Sequence, residues 1–313
     1  MKRAAAHPKI AVLGDSVHWG QGLCDEHKFS FLIAHALGTP KRNVFLKAHS
    51  GAVVGAGSGG NQTAVNPEIP FDTPTIGNQI DEISDPSKVD LILLTGGIND
   101  VSIWRILNPA TRKDHLHQLT FDACYTQMKK LLSRVVTVFS KPSCSYVVSG
   151  YYPILSSISE LASRKQGAEF DHLLGLYNHG YPLTIRRELV FDNVRILAMQ
   201  FWHDSDKYLA LAVRKTVSAH GLDNRMLFVR SGFSEHNALF ADDPWLFGFS
   251  SKFSPEDEVK KTRAAVCDCF YSSDLFKREL CHYASVGHPN VTGAAKIADA
   301  IMKALPETRM RQD

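Results

Sequence analysis

Short aliphatic and β-branched runs recur along the chain, and longer stretches with apolar positions three and four apart separate them. The short runs are Lys9–Leu13, Asn43–Ala48, Val89–Thr95, Ser145–Ser149 and Met226–Val229, each bounded by Gly, Pro, Asp or Ser. Runs of this length without polar alternation read as parallel strands buried on both faces. The longer stretches predict helices over His27–Leu37, Thr75–Ile83, Leu119–Phe139, Ser159–Glu188 (interrupted near Gly180-Tyr181-Pro182), Ser205–His220, Glu256–Cys269 and Asn290–Leu305. The last carries Val291, Ala294, Ala295, Ala298, Ile301, Met302 and Leu305 at helical spacing before Pro306 stops it. Strand then helix, repeated, predicts right-handed βαβ crossovers and a helix-covered parallel sheet, an α/β domain spanning residues 1–313. Two irregular insertions interrupt the alternation, near 51–74, rich in Gly, Asn and Pro, and near 228–254, where Phe233, Phe240, Trp245, Phe247 and Phe249 stand among polar residues.

Composition narrows the class. The 313 residues are 44% hydrophobic and 21% charged, which suits a globular chain with a sizeable core. A formal charge of +3 with scattered Lys and Arg argues against a nucleic-acid or membrane-surface footprint. The basic start, Met1-Lys2-Arg3, leads into an apolar stretch (Ile10–Leu13) too short for a signal core, and no run approaches a bilayer span of roughly 18 residues. The expected location is therefore the cytoplasm, or the chain is the mature form of an exported protein. No oligomeric state is legible. Six cysteines stand at 24, 124, 144, 267, 269 and 281. Cys267, Cys269 and Cys281, followed by His282, allow free thiols, one local disulfide or a metal site, although zinc usually takes Cys-x-x-Cys spacing and a fourth ligand.

Candidate chemistry collects where predicted strands end. The first runs into Gly14-Asp15-Ser16, and open α/β sheets place their active sites just past the carboxyl ends of central strands. A helix turn starting there aims free backbone N–H groups at negative charge forming near the hydroxyl. The second runs into His49-Ser50-Gly51, where a glycine lets backbone approach a ligand. The third ends in Gly96-Gly97-Ile98-Asn99-Asp100, presenting a carboxamide suited to an oxyanion hole. Near the C-terminus, Ser285-Val286-Gly287-His288-Pro289 holds an imidazole at a helix start. Singly, each has a plain structural reading: a turn, an Asx cap or a core histidine.

Together and in this order, Gly14-Asp15-Ser16, Gly51, Gly97-Ile98-Asn99-Asp100 and the loop ending in His288 resemble the SGNH/GDSL hydrolase superfamily. The resemblance spans nearly the whole chain. It implies a three-layer α/β/α architecture with a flavodoxin-like five-stranded parallel sheet of order 2-1-3-4-5. It also implies a cofactor-free hydrolase without metal, acting on a carboxylic ester such as a lipid, an acetylated sugar or a small acyl ester. Ser16 would be the nucleophile and His288 its base. The N–H groups of Ser16 and Gly51 and the side chain of Asn99 would form the oxyanion hole. Asp15 and Asp100 read as structural supports.

One position departs from the family pattern. Where the family carries the triad Asp, three residues before the histidine, this chain has Ser285. Losing the orienting acid costs about 10⁴ in rate in the serine-protease triad. Three readings stay open: His288 is oriented by Ser285 or a main-chain carbonyl, a carboxylate such as Asp268 or Asp274 takes the acid's place, or the site is degraded. The alternative to hydrolysis is accordingly acyl transfer, or a non-catalytic binding protein on the same fold.

Other motifs dissolve on inspection. Gly55-Ala56-Gly57-Ser58-Gly59-Gly60 fits a dinucleotide fingerprint, but Asn61-Gln62-Thr63 and three prolines follow it instead of a helix. Asn61-Gln62-Thr63 and Asn290-Val291-Thr292 match the glycosylation sequon, the second too near His288 to be used. The aromatic segment after Phe228 reads either as a self-packed surface loop or as an acyl-binding wall, and Trp19 and Trp104 are candidates for lining a substrate pocket.

Overall fold

The computed structural model describes residues 7–57, 74–177, 186–249 and 257–305. Five parallel strands, β1 (Ile10–Leu13), β2 (Val44–Leu46), β3 (Leu91–Leu94), β4 (Ser145–Ser149) and β5 (Met226–Val229), form one sheet in the order β2-β1-β3-β4-β5. Ile10 pairs with Val44 on one side and Leu91 on the other, and the ladder continues through Leu91↔Ser145 and Tyr146↔Met226. β1 and β3 are buried along their whole length, which explains their unbroken aliphatic runs. The order reverses direction at β1, so the crevice above β1 and β3 is the topological switch point.

The helices are α1 (Ser16–Trp19), α2 (Phe29–Ala36), α3 (Ile76–Asp81), α4 (Ile98–Val101), α5 (Ile103–Ile106), α6 (Lys113–Phe121), α7 (Met128–Val138), α8 (Arg164–Tyr177), α9 (Arg187–His220), α10 (Lys260–Phe270), α11 (Leu275–His282) and α12 (Val291–Ala304). α2 packs on α12 against one face of the sheet, and α6, α7 and α9 cover the other. A π-helical turn, Asp122–Gln127, joins α6 to α7 and sets Cys124 beneath Gly97. One contiguous core runs through both layers, and a satellite cluster around Cys267 and Cys281 lies under α10 and α11.

All five expected strands form, the first three trimmed at their ends and the last two with the expected bounds. The helices differ more. The stretch expected as Ser159–Glu188 begins at Arg164 and reaches Tyr177, while Gly180-Tyr181-Pro182 lies outside the described residues. The helix expected from Ser205 starts at Arg187 and runs 34 residues. Its polar cluster at 203–206 does not end it, because Ser205 donates to the Trp202 carbonyl and Asp204 pairs with His117. α11 was not expected from the sequence. The Asn61 sequon, most of the 51–74 insertion, Phe253 and Pro306 also lie outside the described residues.

Candidate active site

Ser16 is the first residue of α1, directly beyond β1. Its turn is clamped from several sides. Gln79 donates to the Gly14 carbonyl (2.8 Å) and accepts the Gly14 N–H (2.7 Å). Gly14 has φ +137°, and a Cβ there would lie 2.6 Å from the Thr95 carbonyl, so this approach requires glycine. Asp15 caps α1 by accepting the Val17 N–H (3.0 Å). It also accepts from the Tyr151 hydroxyl at 2.7 Å. Burial is the main reason the Asp15 carboxyl is raised to about 6, opposed by those two hydrogen bonds. Gln79 and Tyr151 escaped the sequence reading, since neither lies in a motif.

The same phenol reaches the neighbouring loop: Tyr151 Oη accepts the Ile98 N–H at 3.1 Å. Asn99, in the first turn of α4, donates to the Ala52 carbonyl (2.9 Å), and Asp100 accepts the Val54 and Gly55 N–H groups (2.9 and 2.8 Å). The loop after β3 therefore holds the loop after β2, where Gly51 sits at φ +76°. Asp15 and Asp100 do the supporting work expected of them.

His288 arrives from the far end of the chain. Its Nε2 lies 2.7 Å from the Ser16 hydroxyl. Its loop is fixed by backbone bonds to Trp245–Phe247: the Phe247 N–H donates to the His288 carbonyl and the Gly287 N–H to Phe247. Asn290 then caps α12 by accepting the Gly293 N–H. The ring is buried, which lowers its pKa to about 4; the Ser285 carbonyl opposes this, the nearby Arg263 charge adds to it, and the Val286 carbonyl and Asp257 oppose it less.

The other ring nitrogen shows the departure. His288 Nδ1 is buried and has no hydrogen-bond partner among the described residues; the Ser285 and Val286 carbonyls face the ring without making one. Ser285, the expected orienter, instead donates to Asp257 at 2.5 Å. Asp257 is paired with Arg263, a fully buried guanidinium that also donates to the Cys281 carbonyl and the Ser285 hydroxyl. Asp268 and Asp274 do not take the acid's place either. Asp268 pairs with His282 and Arg278, and Asp274 caps α11. Among the described residues the carboxylate nearest this position is Asp257, one hydroxyl removed, and no sequence pattern marked it. Cys267 and Cys281 form a disulfide between α10 and α11, and Cys269 is an exposed free thiol.

Ser16, Gly51, Asn99 and His288 line one cavity of about 180 Å³. Its apolar wall is Ile103, Trp104, Leu107, Leu173 and Leu280. Trp104 is thus where expected. Trp19 is not: it lies under the Lys28 ammonium (3.7 Å) and faces a separate cavity with Cys24. Nor do the described aromatics of 228–249 line the site. Phe233 stacks on Tyr152 and meets Trp245, Phe240 packs on Phe170 and Phe191, and Phe249 lies on His172 and Tyr283, so the segment is packed on the domain by its own aromatic side chains.

No protein-family model matches the sequence, and no curated protein matches it. Among solved structures, the chain is similar to an extracellular lipase from Streptomyces rimosus, at 15% identity over 96% of this chain and 100% of that one, with a TM-score of 0.48. It is similar to a phospholipase A1 from Streptomyces albidoflavus at 15% identity, with the same coverage and a TM-score of 0.49. A catalytic mutant of an acetylxylan esterase from Geobacillus stearothermophilus aligns at 15% identity over 99% of this chain and 100% of that one, with a TM-score of 0.40.

Proposed function

We propose that this chain is a serine hydrolase of carboxylic esters, of the SGNH/GDSL type it resembles. The observation that carries the reading is the 2.7 Å approach of Ser16 Oγ to His288 Nε2, within a cavity that Gly51 and Asn99 also line. Ser16 Oγ attacks the ester carbonyl as its proton passes to His288 Nε2. The backbone N–H groups of Ser16 and Gly51 and the Asn99 carboxamide take up the tetrahedral oxyanion. His288 then returns the proton to the leaving alkoxide, and water repeats the sequence on the acyl-enzyme. Accepting at Nε2 requires the proton on Nδ1, which among the described residues is faced by the Ser285 and Val286 carbonyls. We expect a slow enzyme, because among the described residues no carboxylate contacts the imidazolium and Arg263 disfavours it. The apolar wall from Ile103 to Leu280 suits an aliphatic acyl group better than acetyl.

A fluorophosphonate probe read by intact mass tests this. One adduct is expected on the folded protein and none on Ser16→Ala, with turnover of nitrophenyl esters falling to background in that variant and octanoate preferred to acetate in the parent. Absence of an adduct on the parent protein would return the chain to a binding role on the same fold.

A further inference from the structure

Outside the cavity with Ser16, one group of side chains among the described residues has the composition of a metal site. Cys24 opens a 3-10 turn, Asp25–His27, so the Cys-x-x-His spacing brings both side chains to one side of that turn. Cys24 Sγ lies 3.5 Å from His27 Nδ1. Glu258, more than two hundred positions along the chain, brings Oε1 to 2.5 Å from the same nitrogen, while its Oε2 accepts the Cys24 N–H at 3.0 Å. One ligand atom from each of the three residues lies within 4.8 Å of the others. The Glu26 carboxylate interacts with the Cys24 thiol, adding negative charge. A polar cavity of about 310 Å³ opens beside Cys24, leaving room for a further ligand.

We propose that Cys24, His27 and Glu258 bind a zinc ion, with the fourth position open to water. A thiolate, an imidazole and a carboxylate are all zinc ligands, and bonds of about 2.3, 2.0 and 2.1 Å at tetrahedral angles put sulfur and nitrogen roughly 3.5 Å apart. Cys24 and His27 already stand at that separation. The Glu258 oxygen withdraws from Nδ1 by less than an ångström, a small rotation for an exposed carboxylate. On binding, the Cys24 thiol proton leaves to solvent and His27 carries its remaining proton on Nε2, freeing Nδ1 to ligate. The Cys24 N–H bond to Oε2 fixes the carboxylate from outside the coordination shell. A softer, sulfur-containing set disfavours magnesium and calcium, which take oxygen ligands.

The ion would fasten the stretch entering α10 to the loop leaving α1, a junction now made by the Glu258 N–H donating to the Gly22 carbonyl at 2.9 Å. This inference does not rest on the reaction proposed above.

Cobalt(II) added to chelator-treated full-length protein under anaerobic conditions tests it. The expected result is one equivalent bound, with a thiolate-to-cobalt charge-transfer band that zinc abolishes by displacement. The band should survive Cys269→Ser, vanish in Cys24→Ser, and require more than roughly tenfold more cobalt in Glu258→Gln. Melting in chelator checks that each variant folds, and zinc should raise the Tm of the parent protein but not of Cys24→Ser. No band at stoichiometric cobalt, a band that persists in Cys24→Ser, or one lost in Cys269→Ser would overturn the site.

Discussion

Ser16 and His288 meet at 2.7 Å, but the regions that hold them are built differently. On the nucleophile side, Ser16, Gly51 and Asn99 each follow a strand of the sheet, and the three loops are cross-tied by Gln79, Tyr151 and Asp100. Their supports lie in the main core, although His18 Nδ1, in the same short helix as Ser16, is buried without a hydrogen-bond partner among the described residues. On the histidine side, the loop is anchored by backbone bonds to Trp245–Phe247 and by a buried Ser285–Asp257–Arg263 group under α10 and α11. There the gap falls on the base itself: His288 Nδ1 and its neighbour Arg263 Nη1 are both buried without a hydrogen-bond partner among the described residues. A parallel sheet positions its loops whatever they carry. A histidine on the loop between α11 and α12 depends on local chemistry, and it is there that the sequence departs from the family pattern it resembles.

The comparison can be attacked from either side. The largest effect beyond Ser16 itself is expected at Asn99. Asn99→Ala should fold normally and lose about 10²–10³ in kcat on a nitrophenyl ester; an unchanged kcat would take the carboxamide out of the oxyanion hole. Next comes the hairpin that bears Arg263. Cys267→Ser opens a closed loop with a sequence separation of 14, which removes up to about 3 kcal/mol from the hairpin's resistance to unfolding. Hydrogen exchange should rise over α10 and α11 while β1 and β3 stay protected; equal loss of protection in the sheet would erase the distinction between the two regions. Smallest is the repair of the acid. Ser285→Asp combined with Asp257→Asn puts a carboxylate at the family's position and leaves Arg263 one acidic partner. We expect kcat/KM to rise roughly tenfold, one decade of the four attributed to the acid in the serine-protease triad. The pH profile supplies the sign. The base works neutral, so the parent protein should lose activity only as pH falls through about 4. In the double variant the carboxylate favours the imidazolium, and the lower limb should move up toward the ordinary imidazole value of about 6.5. A limb that stays put would mean the new carboxylate is not at Nδ1.

What could be read from the sequence follows the same division. Ile10–Leu13 and Leu91–Leu94 are aliphatic because both faces are covered, so the strands and the residues just past them stand out locally. The order of the sheet and the meeting of Ser16 with His288 came from the family resemblance. Asp257 and Arg263 were invisible because their partnership lies inside a polar-looking stretch, and burying an Arg leaves no apolar signature. The length of α9 was missed for a related reason: its polar cluster at 203–206 looks like a break until Asp204 is seen paired with His117. Trp19 was misplaced because closeness to Ser16 in sequence does not determine the direction of a side chain at the end of a four-residue helix.

Tyr151 carries a consequence for how substitutions in this site combine. A single phenol oxygen donates to Asp15 beneath the nucleophile and accepts from Ile98 beside Asn99. The two loops share one fastening, so losses introduced on each will not sum. Once Tyr151 is gone, a second change at either loop should cost less than it does alone, because part of what it would disturb has already been released. Inherited variation at Asp15 and at the Asn99 turn should be read as a coupled pair, with the phenol as the coupling.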